Sequence, residues 1–216
     1  MDEFLGFPIP TYCERGSLGI FAEPLNAISN VAVVFAGLGI YKLLVKNRIQ
    51  KVEYKALLII VFMIGVGSFL WHATRNVYAL ILDAAPVALT FALITYILLS
   101  KLIKQKLIAL SIALMLIPTR FFISSFASTD ISGSLIRNLF NTASFLLIIL
   151  WTIRKYGKVA FEGLIILAVY LVAITARGID LQVCPTFYIG THFLWHILNA
   201  LAVYLALKFL IKLERV

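Results

Sequence analysis

The 216-residue chain holds three histidines, and two of them, His192 and His196, stand four residues apart inside the apolar stretch "GTHFLWHILNA" at 190–200. Residues spaced i, i+4 share one helical face, one above the other. The third, His72, follows Ser68 by the same interval in "GSFLWHATR", and Asp83 comes eleven residues later in "NVYALILDAAP". Three neutral imidazoles directed at one point make a zinc site with an open fourth position, the arrangement of catalytic rather than structural zinc. Zinc lowers the pKa of a bound water from about 15.7 to about 7. Asp83 then fits as the carboxylate that takes the water's proton and returns it to a departing amine. Ser68, a turn before His72, fits as a hydrogen-bond donor to the oxyanion formed on a carbonyl.

These residues need elements that bring them together, and composition says what kind. Hydrophobic residues make up 62% of the chain and charged residues 13%, and the mean hydropathy is +1.01. Soluble domains carry roughly 25% charge, so the chain reads as all-α and polytopic in a membrane. Runs between charged breaks give seven spans of near-bilayer length, about 25–45, 55–73, 77–99, 105–121, 133–153, 159–177 and 190–210. They leave only short loops, so 1–216 reads as a single seven-transmembrane domain. The acidic N-terminus "MDEFLGFPIP" has no basic n-region or small-residue cleavage site and reads as retained.

With the N-terminus outside, fourteen of the nineteen basic residues fall on the inner side. They cluster as Lys42 to Lys55, Lys101 to Lys106, Arg154 to Lys158 and Lys208 to Arg215. Arg15, Arg75, Arg120, Arg137 and Arg177 stand singly on the outer side. This is the positive-inside pattern, with the C-terminus cytoplasmic. The net charge of +9 is then an orientation signal and a contact for anionic lipids at the cytoplasmic face, with no nucleic-acid partner needed. The same topology, derived from the lysines, brings His72, Asp83, His192 and His196 to one exoplasmic leaflet.

Other readings compete. Membrane histidines often bond a backbone carbonyl or serine on a neighbouring helix. A proton or ion pathway is another default for intramembrane charge, but it calls for carboxylates through the membrane's depth, and none occurs in the inner half. The block "ERGSLGIFAEPLNAISN" places Glu14, Glu23, Asn26 and Asn30 around the outer end of the first span. Its oxygens suit calcium, with Glu14 and Glu23 as ligands; a hydrogen-bond network tying the entrance to the seventh span is an equal reading. Arg177 and Asp180 read as an ion pair of this layer. Cys13 and Cys184 both fall outside, where a disulfide is permitted and free thiols are the alternative. Gly65 and Gly67 would allow close helix approach beside Ser68, and Pro86 and Pro118 would kink their helices. No phosphate loop, nucleotide fingerprint, serine-hydrolase elbow or tandem repeat is found.

Taken in order, "YCE", "AEPLNAISN", "GSFLWHATRNVYALILDAAP", "ARGIDLQVCP" and "THFLWHILNA" resemble the landmarks of the alkaline ceramidases. They fit the wider superfamily of seven-span metal hydrolases that includes the adiponectin and progestin receptors. The resemblance runs along the whole chain. It implies Zn²⁺ on His72, His192 and His196, with Ser68 and Asp83 in the active site, a Cys13–Cys184 disulfide and a Ca²⁺ site under the N-terminal segment. It also implies amide hydrolysis of ceramide or a related N-acyl lipid to a fatty acid and an amine.

Thr11 and Gly16 stand where that calcium site has oxygen ligands, and "DAAP" stands where the ceramidases have the more acidic "DELP". Both differences point to a substrate and ion requirement of this chain's own. A lipid esterase would use nearly the same apparatus. A seven-span lipid receptor or binding protein with structural zinc is the reading from another class. The expected setting is the inner membrane of a prokaryote, or the endoplasmic reticulum or Golgi of a eukaryote, with the active site toward the exoplasmic side. The expected partner is an acyl-chain lipid, with no obligate protein partner.

Overall fold

A computed structural model describes the backbone at residues 3–4, 7–8, 11–15, 21–126 and 131–216, and side chains at 11–15, 21–119, 122 and 142–216. The expected apolar segments all lie in helices. The first is α1, Pro24–Ser29, followed directly by α2, Val31–Lys46. After these come α3, Val52–Thr74; α4, Val77–Leu102; α5, Lys106–Phe126; and α6, Ile131–Tyr156. A 3-10 turn over Gly157–Phe161 leads to α7, Glu162–Gly178, then the short α8, Asp180–Val183, and α9, His192–Leu213. Ahead of them, Glu3–Phe4 (β1) and Phe7–Pro8 (β2) pair antiparallel. Arg120 and Arg137, which entered the charge pattern, lie outside the described side chains.

Local sequence explains where several helices begin and stop. Pro24 opens α1, where a missing N–H costs nothing. The Asn76 side chain caps α4 by accepting from the Tyr78 N–H at 2.8 Å. Arg75 ends α3 in the left-handed conformation at φ 54°. Pro86 and Pro118 sit inside α4 and α5 without ending them.

Among the described residues, five helical stretches are long and apolar enough to cross a membrane: Pro24–Lys46, Val52–Thr74, Val77–Leu102, Thr142–Gly178 and His192–Leu213, with Lys106–Thr119 a shorter apolar helix. Large apolar side chains face outward, Phe35 at 69%, Ile59 at 62% and Leu147 at 67% exposure. An aqueous surface does not carry so many, whereas lipid does. Inside, Tyr54, Leu57, Val61, Ile97, Leu98, Leu207 and Leu210 form a continuous core. α3 packs on α4, and α9 packs on both α2 and α7.

One end of the bundle is fastened at Glu214, just past α9. Its carboxylate accepts from the Tyr54 hydroxyl at 2.9 Å and from Lys101 Nζ at 2.7 Å, and it pairs with Lys51. Burial alone would raise this carboxyl, but the Lys101, Lys51 and Tyr54 donors outweigh it and hold it at about 2. A carboxyl depressed in the folded state contributes stability above its unfolded pKa of about 4.3, and that contribution is lost as pH falls toward 2. Glu214→Gln is therefore expected to lower the melting temperature at pH 7, by roughly 1 kcal/mol of stability once solvent screening is allowed for. The gap from wild type should close between about pH 4.5 and 2. Thermal unfolding in detergent across that range checks it.

Candidate metal centre

His72 occupies the last turn of α3, while His192 and His196 occupy the first two turns of α9. The three rings meet. Centroids are 5.1 Å apart for His72 and His192, 4.8 Å for His72 and His196, and 4.7 Å for His192 and His196. Candidate ligand atoms from all three lie within 4.8 Å of one another. The residues are 0%, 1% and 4% exposed, respectively. Imidazoles separated by 120 residues of chain thus share one small buried volume.

Their other nitrogens are held by side chains around them. Glu23 Oε2 accepts from His72 Nδ1 at 2.5 Å. The Ser29 hydroxyl lies 2.7 Å from His196 Nδ1 and donates to the Asn26 carbonyl at 2.8 Å, so its oxygen is free to accept from the ring. Both contacts place the proton on Nδ1 and leave the Nε2 lone pair directed elsewhere. This is how outer residues fix the tautomer of metal-binding histidines. Glu23 is in turn bound by Arg15 and lies 3.6 Å from an Arg75 nitrogen. Two guanidiniums compensate its fully buried charge.

The seventh apolar segment is anchored to the N-terminal segment. Asp180 Oδ1 accepts from the Thr191 and His192 N–H groups at 2.7 and 2.8 Å, capping α9 where no local side chain does so. Its Oδ2 accepts from the Cys13 N–H at 2.8 Å, and Cys13 is disulfide-bonded to Cys184. Gly190 allows this crossing. At φ 66°, an added Cβ would collide with Asp180 and Cys13. The strap lays Tyr12 over the site, its ring stacked on His192 at 3.7 Å between centroids. Burial pushes the Tyr12 phenol up to about 12, so it stays protonated.

Ser68 is buried, one turn before His72 on the same face. The half-buried Asp83 comes from α4, beside the Ser68 hydroxyl and within electrostatic range of His72. Gly67 sets that approach: a Cβ there would run into the Leu82 carbonyl and the Asp83 nitrogen. At Gly65 an added Cβ would meet side-chain atoms of Val34 at an ordinary 3.4 Å. Gly67→Ala should therefore cost about 1–3 kcal/mol through overpacking and pull Asp83 from the histidines, while Gly65→Ala stays near wild type. Paired melting and activity measurements on the two variants check this.

The donor set fits a divalent metal such as zinc. His72 Nε2 and His192 Nδ1 are buried with no protein partner, a costly state for a polar atom unless something binds it. Three imidazoles from two helices, with outer partners, are a zinc-type ligand set that keeps a position open. The N-terminal block shows a different pattern. Glu14 accepts from the Leu25 and Asn26 N–H groups, at 2.5 and 2.8 Å, and Glu23 is engaged by His72, Arg15 and Arg75. These contacts, together with that of Ser29 on His196, form a hydrogen-bond network that ties the block to α3 and α9.

Arg177 and Asp180 do not form the expected ion pair. Asp180 spends its oxygens on backbone N–H groups, and Arg177 stacks on Trp195, Cζ lying 5.2 Å from the ring centroid. The orienting roles of Glu23 and Ser29 were missed from sequence. The available signal was the polar face of Asn26, Ser29 and Asn30 at i, i+3 and i+4, which a lipid-facing helix would not carry. Tyr12 was also missed.

Fold and site together define an all-α, multi-span membrane protein with a buried three-histidine centre able to hold a divalent metal. Residues 12–215 match the ceramidase family model, and the chain belongs to that family of membrane enzymes. No curated protein matches the chain significantly.

Proposed function

We propose that the protein is a zinc-dependent amidase of the membrane that cleaves ceramide or a related N-acyl lipid to a fatty acid and an amine. The observation that carries this is the pair of partnerless buried nitrogens, His72 Nε2 and His192 Nδ1, in the three-histidine cluster of a ceramidase-family chain. Zinc, when bound, supplies a Lewis acid for the carbonyl and an acidified water. His72, His192 and His196 would hold it, with Glu23 and Ser29 fixing two of the rings. Asp83 accepts the proton of the attacking water and delivers it to the amide nitrogen as the C–N bond breaks. Ser68 donates to the oxygen that gains negative charge. The water oxygen ends in the fatty acid and its protons in the two products.

An apolar cavity supports an acyl-lipid substrate. Its lining includes Asn199, about a turn from His196, with Thr90, Phe91, Ile94 and Ala206. We further propose that residues 1–216 form one seven-span domain, N-terminus outside and C-terminus cytoplasmic. The apolar stretch Thr142–Gly178 has 37 residues, about 55 Å of helix against a core of about 30 Å. It is interrupted by the Gly157–Phe161 turn, and α6 packs on α7, as two crossings would. On this topology the site faces the exoplasmic side of an inner membrane in a prokaryote, or of the endoplasmic reticulum or Golgi in a eukaryote. The basic side contacts anionic lipid. Calcium has no role in the proposal.

The test is mass-spectrometric detection of fatty acid released by the purified protein from a panel of N-acyl and O-acyl lipids. Release from the amides is expected. Release from esters alone would replace amidase with esterase, and no release from any lipid would favour a receptor.

A further inference from the structure

Arg177 lies in the last turn of α7 and takes no part in the mechanism above. Its neighbour Ala176 accepts the Thr191 hydroxyl at 2.6 Å, which pins this turn against the start of α9, one residue from His192. The half-buried guanidinium lies over Trp195, next to His196. Among the described residues no carboxylate pairs with it, in contrast to Arg15 and Arg75, which engage Glu23. Through Trp195 and the Ala176–Thr191 contact it is held beside the first two turns of α9, which carry His192 and His196. On the α4 side of Asp83, Ala84 and Ala85 are exposed and carry no charge to repel an anion.

A partly dehydrated guanidinium held by an aromatic face presents a planar fork that matches an oxyanion. Resting on the amidase reading, we propose that Arg177 binds a carboxylate on the amine portion of the substrate, making N-acyl amino acids the preferred class of N-acyl lipid. In such a molecule the carboxylate is two bonds from the amide nitrogen. It therefore stays close to the α7 end that carries Arg177 when the carbonyl reaches the histidines.

The experiment compares N-oleoylglycine with its neutral analogue N-oleoylethanolamine and with ceramide, using the zinc-loaded protein in micelles free of phospholipid. Wild type should favour N-oleoylglycine. Arg177→Gln should raise KM and lower kcat/KM for N-oleoylglycine about ten- to hundredfold, the scale of a lost charged hydrogen bond. N-oleoylethanolamine should fall by less than about threefold, and Arg177→Lys should recover part of the loss. Zinc content and melting temperature confirm that the variants are folded.

Equal losses on both substrates overturn the proposal. So does a wild-type preference that appears only when anionic phospholipid is added, which would assign Arg177 to a bilayer headgroup. If wild type hydrolyses no amide, the amidase reading fails separately. Calorimetric binding of N-oleoylglycine then decides the anion site: tighter binding than N-oleoylethanolamine that Arg177→Gln abolishes supports it, and equal binding of the two refutes it.

Discussion

His196→Ala is expected to leave a folded protein that retains little zinc and releases fatty acid at less than about one-thousandth of the wild-type rate. The reasoning is geometric. His196 forms one corner of a near-equilateral triangle with the other two rings, with centroids 4.8 and 4.7 Å away, and its Nδ1 is held by Ser29. Two imidazoles then remain, too few for the set that holds catalytic zinc. Ser29→Ala provides a graded control, because the histidine survives but its orientation is lost. Zinc affinity should fall by about 10- to 100-fold. Metal analysis after dialysis against a weak chelator, with melting curves alongside, measures both. Full zinc retention in His196→Ala would remove this residue from the ligand set.

Asp83→Asn should behave in the opposite way: zinc is retained while turnover drops by about 10²- to 10⁴-fold, the range of general acid–base catalysis. Asp83 comes from α4, outside the cluster of candidate metal ligands, yet adjacent to Ser68 and within reach of His72. In the proposed mechanism it moves protons and the histidines hold the metal. Single-turnover measurement of fatty-acid release, with zinc quantified on the same sample, separates the two roles. Loss of zinc together with activity would make Asp83 a ligand or a structural residue instead.

The helices and the histidine cluster were legible from sequence because both follow from short-range rules. Continuous apolar runs become helices in lipid, and His192 and His196 share a face through their spacing alone. Lysine placement then carried His72 toward them. What the sequence left open was settled by contacts across long stretches of chain. Glu23 reads as a calcium-type carboxylate, and its contact with His72, 49 residues later, has no local signal. Asp180 reads as a partner for the nearby Arg177 until it is seen accepting the Cys13 N–H, 167 residues away. Tyr12 gave no signal, because its place over His192 depends on the Asp180 contact and the Cys13–Cys184 bond. In each case the contact is with a tertiary partner that no spacing reveals.

The most direct test of the metal centre is zinc titration of chelator-stripped protein, followed by fatty-acid release from an N-acyl lipid. Activity should be absent in the stripped protein and return linearly, reaching its plateau at one zinc per chain. Undiminished hydrolysis by stripped protein, or zinc binding at that stoichiometry by a chain lacking all three histidines, would contradict it.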